Sequence, residues 1–258
     1  MDHPFVLMFF FLILFVAGTE LLRRYRHAAM VLFLLSLPVL LVPNGNGLFM
    51  QIKTVSVLVP ICFLIYARVN AGALKPVSFL IYGVIILNIV EASVIDMMTG
   101  NYLNLAAGLG LILLLPRPGE SWRVAGRHRN FELALPTYWP FLYTTWNLCF
   151  LYSARISTFG YAIPLLLAPF LYAVALRRSD WYFQARAYSF GGYLFFRAAF
   201  GDTAPLNLDS FDLTDWYSPT VALAWGAVNL AITGYCLYPW CSNRITAFYD
   251  TFRSKQEG

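Results

Sequence analysis

Two carboxylates and an amide interrupt one of the most apolar stretches of the chain, LIYGVIILNIVEASVIDMMTG, at Asn88, Glu91 and Asp96. An ionised group in hydrocarbon costs about 2.5–3.5 kcal/mol even on the gentler insertion scales, so it turns inward and finds a partner. Asn88 and Glu91 are three residues apart and share a helix face, with Asp96 on its flank. The candidate partners are the three cations that do not fall in basic loops: Lys53, Arg155 and Arg197. Tyr143, Asn147, Leu151 and Arg155 recur every four residues on another segment, Tyr193 and Arg197 on a third, and Asn101 and Asn104 open a fourth. The expected arrangement is a buried polar cluster in which Glu91 and Asp96 face Lys53, Arg155 or Arg197. Asn88, Asn104, Asn147 and Tyr143 would supply neutral hydrogen bonds. Glu91, the deepest of the acids, would be its proton- or cation-responsive group.

Other chemistries find little support. His3, His27 and His128 lie at ends or in loops, which leaves no pair for a metal site inside a membrane. Cys62, Cys149, Cys236 and Cys241 form no CxxC or CxxH pair, and the first two read as small buried hydrophobes. No nucleophile elbow, phosphate loop or dinucleotide fingerprint occurs, so no catalytic residue, metal or cofactor is assigned. Asp209, Asp212 and Asp215 lack the ligand pattern of a calcium loop and read as a solvated segment leading to Ser218 and Pro219, an N-cap and first-turn proline.

The elements that position these residues follow from composition. Of 258 residues 59% are apolar and only 12% charged, far too few to cover a soluble core of this size. Basic residues fall in short loops without interleaved aromatics, which argues against a nucleic-acid partner. Runs such as FVLMFFFLILFV do not alternate apolar with polar residues, so the spans are helices, not barrel strands. The expected fold is an all-α polytopic bundle forming one integral membrane domain over 1–258. Its nine spans would lie at about 5–22, 28–43, 52–67, 77–98, 102–116, 137–153, 159–176, 187–200 and 218–239. The fifth and eighth are short enough to be re-entrant or shielded by neighbours. The longest basic loop, about 117–136, is too short to fold alone.

Sidedness follows from charge. Fifteen of the 18 Lys and Arg residues fall in alternate loops and the C-terminal tail, which sets the N-terminus outside and the C-terminus inside. Asp2 and His3 precede the first apolar run and Arg23, Arg24 and Arg26 follow it, a pattern expected of a retained helix. Glu20 reads as the interfacial partner of Arg23 and Arg24. Trp122, Trp139, Trp181, Trp216 and Trp240 lie near span boundaries, as an aromatic belt would. Small residues at 106–108, 110, 191, 192, 222 and 226 mark close helix contacts.

At several of these residues the chain resembles an uncharacterised bacterial family of multi-pass membrane proteins known only as a domain of unknown function. The resemblance rests on LNIVEASVID, TTWNLCFLYS, TELLRRYRH, QIKTVSV, NYLNLAAG and QARA, over about residues 15–190. It implies a multi-pass protein of the bacterial cytoplasmic (inner) membrane and brings no activity or substrate with it. Three functions stay open. The first is small-solute transport or ligand binding at the cluster, with membrane lipids and an unknown solute as partners. The second is a structural or assembly subunit that the cluster locks together. The third is an enzyme acting on a lipid or isoprenoid with Glu91 and Asp96 as acid and base, although two carboxylates five apart on a helix diverge by about 140°.

Overall fold

A computed structural model describes residues 4–41, 48–119, 121–156, 159–200 and 214–254, with side chains for 5–35, 55–119, 121–156, 159–194 and 214–239. Among them are nine α-helices and one two-stranded hairpin. The helices are α1 (Pro4–Arg24), α2 (Arg26–Leu41), α3 (Leu48–Val69), α4 (Leu74–Met98) and α5 (Tyr102–Leu114). They continue with α6 (Tyr138–Ser153), α7 (Phe159–Ala175), α8 (Tyr182–Phe200) and α9 (Pro219–Ser254). Every apolar segment read from the sequence is a helix here. The eighth begins five residues earlier than expected, at Tyr182, and the ninth runs well beyond residue 239, to Ser254. Ser218 does precede the first-turn Pro219, and its carbonyl accepts from Ala222 N at 3.0 Å.

Among the described residues, three stretches are long and apolar enough to cross a membrane, namely Phe5–Arg24, Ala71–Met98 and Pro219–Pro239. Shorter apolar helices cover Arg26–Leu35, Val55–Val69, Tyr102–Leu114 and Phe159–Ala175. Their outward faces carry large apolar side chains: Phe5, Phe9 and Ile13 on α1, Leu87 and Val94 on α4, Leu223 and Val228 on α9. A core cluster runs from Phe11 and Phe15 of α1 through Ile65, Ile89 and Leu111 to Cys236 of α9. Within it α5 packs against α4, α6 and α9, while α1 packs against α7 and α8, and α2 against α3.

The segment expected to be a plain loop contains the hairpin, β1 (Trp122–Ala125) paired antiparallel with β2 (Asn130–Leu133). It is held by buried polar groups. Gln184 of α8, 1% exposed, accepts from Phe131 N at 2.6 Å. Glu132, 3% exposed, takes Arg178 Nη2 at 2.6 Å, Arg123 Nε at 2.8 Å and Trp181 Nε1 at 3.0 Å. Arg178 is also gripped by Asp180, whose hydrogen bonds hold the guanidinium above its ordinary range. Arg68, fully buried at the end of α3, donates to the carbonyls of Leu22, Arg23, His128 and Arg129 and to the Tyr188 hydroxyl. One guanidinium thus ties together the ends of α1 and α3, the hairpin turn and α8. Nearby, Glu20 pairs with Arg23 at 2.8 Å and with Arg24.

The belt reading of the tryptophans needs correcting for two of them. Trp122 is 3% exposed, stands edge-on to Phe131 and donates to Pro116 O. Trp139 is wholly buried among Tyr143, Tyr182 and Phe183. Proximity to a helix end does not choose between lipid and core; the hairpin and α8 cover both rings.

The α4–α5 connection sets the site. Gly100, at φ 79°, follows the last residues of α4, and Asn101 N reaches back to Asp96 O at 2.8 Å. This is a Schellman closure, which needs a left-handed residue and therefore favours glycine. Asn101 then caps α5 by accepting from Asn104 N at 3.3 Å. Gly100→Ala should lower stability by about 1 kcal/mol through the left-handed penalty alone. Gly83→Ala, on the same helix with nothing within 4 Å of a new Cβ, should be neutral or stabilising. Thermal unfolding of both variants in detergent checks the contrast.

Candidate functional site

The buried face of α4 runs through Ile81, Ile85, Ile89, Ala92 and Asp96, each three or four residues from the last, with Ser93 buried beside Ala92. That spacing carries Asp96 into the interior, fully buried. Glu91 lies about 200° round the helix from Ile89. It falls on the exposed side, as does Asn88. The acid taken into the protein by α4 is therefore Asp96, and what answers it is an amide.

Asn104 Nδ2 donates to Asp96 Oδ2 at 2.7 Å and to Trp146 O at 3.3 Å. Trp146 Nε1 returns a hydrogen bond to Asn104 O at 2.9 Å. Asn104 Oδ1 in turn accepts from Asn229 Nδ2 of α9 at 2.8 Å. Beside this core, Asn101 Nδ2 donates to Ser153 Oγ at 2.7 Å and contacts Cys149 Sγ at 3.5 Å. Four helices, α4, α5, α6 and α9, thus meet through one amide, Asn104.

Close approach depends on glycines. A Cβ at Gly226 of α9 would lie 2.6 Å from Asn101 Oδ1 and 3.1 Å from Asn104 N. One at Gly108 would lie 2.7 Å from Ser93 Oγ and 2.8 Å from Trp146 Nε1. The nearest distance at each glycine is shorter than real Cβ contacts, so these positions bring α9 and α4 onto α5 as small residues do between packed membrane helices.

The cluster is incompletely satisfied. Asp96 Oδ1, Ser93 Oγ and Asn229 Oδ1 are buried and have no hydrogen-bond partner among the described residues. No lysine or arginine there forms an ion pair with Asp96. Ser93 is one turn before Asp96 on the same face, and Asn229 is joined to Asp96 through the single Asn104 amide. A carboxylate, an amide carbonyl and a hydroxyl are the ligand types that hard cations take. Buried acceptors without donors are uncommon enough in native proteins to need such a cause.

The remaining sequence candidates with described side chains do not reach the Asp96 carboxyl directly. The side chains of Lys53 and Arg197 lie outside the described residues. Arg155 is exposed just past α6, at φ 50°, with its guanidinium 4.1 Å from the Tyr217 ring centroid. It closes α6 in the way Gly100 closes α4, Ile156 N reaching Leu151 O at 3.3 Å. Asn147 is half-buried and donates to Tyr143 O of its own helix at 2.8 Å. Tyr143 is buried and stacks on Trp139 at 4.8 Å and on Trp146 at 6.0 Å. Among the candidates whose side chains are described, Asp96 and Asn104 meet directly, and Tyr143 is joined to them through Trp146.

Ser93, Trp146 and Asn229 are site residues the sequence reading did not select. Asn229 carried a usable signal. It is a lone amide in an apolar helix, with Gly226 three residues before it and Thr233 four after, all on one face. No family model, curated protein or solved structure matches the chain.

Proposed function

We propose that this is an integral membrane protein of nine spans that binds a monovalent metal cation at Asp96 in the course of small-solute transport or ligand binding. In this reading the N-terminus is outside and the C-terminus inside a bacterial cytoplasmic membrane, and lipid covers the apolar outer faces. The large exposed side chains of α1, α4 and α9 support lipid contact, since soluble monomers seldom expose such faces. The arginines gathered at the hairpin end, Arg23, Arg68, Arg123 and Arg178, support placing that end inside. The Asp96 cluster then occupies the outer half. At about 1.5 Å per residue the 13-residue α5 is too short to cross hydrocarbon alone, and it fits as a crossing shielded by α4, α6 and α9.

The observation that carries the functional part is the orphaned Oδ1 of a fully buried Asp96, with Ser93 Oγ and Asn229 Oδ1 orphaned in the same cluster. A bound cation would supply the charge that Asp96 lacks and the coordination that the three oxygens lack. A second reading, a pure helix lock, is favoured by the reciprocal bonds between Asn104 and Trp146. The two separate on Asp96→Asn. Cation binding predicts that Na⁺ in place of choline raises the wild-type unfolding midpoint by about 4 °C at ten times its dissociation constant. Asp96→Asn should fold and lose that rise. A lock predicts no ion response in the wild type and a loss of stability in every medium.

A further inference from the structure

We infer that the corner where α1 meets α2 and the hairpin turn is a seat for the phosphate of an anionic phospholipid in the inner leaflet; this assignment rests on the integral-membrane reading above. Arg68 builds the corner. Its Nη2 donates to Arg23 O at 2.6 Å and to His128 O at 2.8 Å, so the end of α1 and the hairpin turn lie within two hydrogen bonds of each other. Its Nε donates to Arg129 O at 2.8 Å. Arg26, at the start of α2, is near enough for its charge to act on that of Arg68.

Charge at this corner does not balance. Arg23, Arg24, Arg26, Arg68, Arg127 and Arg129 are gathered here, and among the described residues Glu20 is the one carboxylate bonded to any of them. Glu20 already accepts from Arg23, Arg24 and the Tyr172 hydroxyl. The carbonyls around Arg68 satisfy its donors but carry no net charge to offset it. Arg26 reaches the His27 ring, Nε to Nε2 at 3.4 Å. Arg127 is exposed at the turn, and Arg129 has a buried Nε without an acceptor among the described residues. Cations held together by backbone contacts repel one another, and an anion set among them relieves that cost.

The surroundings favour a lipid as the source of the anion. The corner is open, with His27 and Arg127 exposed and Arg26 half-buried, so a headgroup needs no cavity to reach it. Leu21 and Tyr25, four apart on one face of the α1 end, are exposed beside the cations, and Val31 continues an exposed apolar surface along α2. Tyrosine is favoured at the level of lipid headgroups. Guanidinium groups match phosphate oxygens in a two-pronged fashion, and an apolar face that starts where they end fits the acyl chains of the same molecule.

The experiment is thermal unfolding of the full chain in a neutral detergent, titrated with phosphatidylglycerol, with phosphatidylcholine and with inorganic phosphate. Phosphatidylglycerol should raise the midpoint by about 4 °C at ten times its half-saturating mole fraction, and by less as choline chloride is added. Phosphatidylcholine should leave it unchanged, and phosphate should act more weakly than phosphatidylglycerol. Arg26→Gln, Arg127→Gln and Arg129→Gln combined should weaken the phosphatidylglycerol response about a hundredfold, at about fivefold per arginine near a membrane surface, and keep the Na⁺ rise. If the combined variant does not fold, Arg127→Gln at its exposed position decides, with about a fivefold loss. Arg117→Gln removes an exposed cation at the base of the hairpin, a strand length of about 13 Å from the turn, and should change nothing. An equal response to phosphatidylcholine, an equal or larger response to phosphate, an undiminished response in the arginine variants, or an equal loss in Arg117→Gln overturns the assignment. A wild-type protein that ignores Na⁺ but responds to phosphatidylglycerol would sink the cation reading and leave this corner standing.

Discussion

Asn104→Leu should destabilise the protein by about 3–5 kcal/mol, more than any other single change within the α5 helix. The side chain of Asn104 is, among the described residues, the one donor to the Asp96 carboxyl and the acceptor for Asn229, and it also donates to Trp146 O. Leucine is close in volume, so the loss is not that of a cavity. It comes from a buried carboxyl left without its amide and from an Asn229 Nδ2 left without an acceptor, all fully shut away from water. Asn104→Asp is the sharper companion. It retains shape but sets a second carboxyl at Asp96, and like-charged groups at that distance are costly. Equilibrium unfolding in detergent, with helicity as the readout, checks both. A loss under 1 kcal/mol for Asn104→Leu would mean that the four helices do not depend on this amide.

Arg68→Met should be equally severe, again about 3–5 kcal/mol, with failure of membrane assembly as the extreme outcome. The carbonyls of Leu22 and Arg23 lie in the last turn of α1, where helix geometry leaves acceptors without intrahelical donors. Those of His128 and Arg129 lie in the hairpin turn. Arg68 serves all four with nitrogens fixed in one plane and reaches Tyr188 as well. Methionine keeps the stem and removes every donor. Arg68→Lys should recover only part of the loss, because three tetrahedral donors on a point charge cannot match the fork. Limited proteolysis at the hairpin supplies an independent readout: cleavage near residues 126–129 should rise in both variants, and more in Arg68→Met. Equal protection in all three proteins would show that the turn is held by something else.

The helices were legible because lipid-compatible segments are marked by apolar length, and breaks such as TGN by their turn chemistry. Which side of each helix faces inward was not legible in the same way. A helix bounded by lipid is apolar all round, so hydrophobic periodicity loses the contrast that locates a core face in a soluble protein. On α4 this made Glu91 look like the centre, because it is the deeper acid. The inward stripe is instead signalled by Ala92 and Ser93, small residues at a crossing, which lead by one turn to Asp96. The same blindness hid Asn229, whose neighbours Gly226 and Thr233 lie on its face.

The hairpin was missed for a different reason. Each strand has four residues, too short for a period of two to stand out, and its stability comes from Gln184, Arg178 and Arg68 far away in sequence. Arg186 was counted among loop cations because its helix was expected to begin at residue 187, whereas α8 begins at Tyr182. A five-residue error at a helix start moved a guanidinium that lies over the Tyr143 ring from the interior to a loop.

Infrared difference spectroscopy between Na⁺ and choline media tests the central claim most directly, because it reads the carboxyl group itself. The account predicts a cation-dependent change in carboxyl stretching that vanishes in Asp96→Asn and survives in Glu91→Gln. A spectrum that does not respond to Na⁺, or a response that persists without the Asp96 carboxyl, would contradict it.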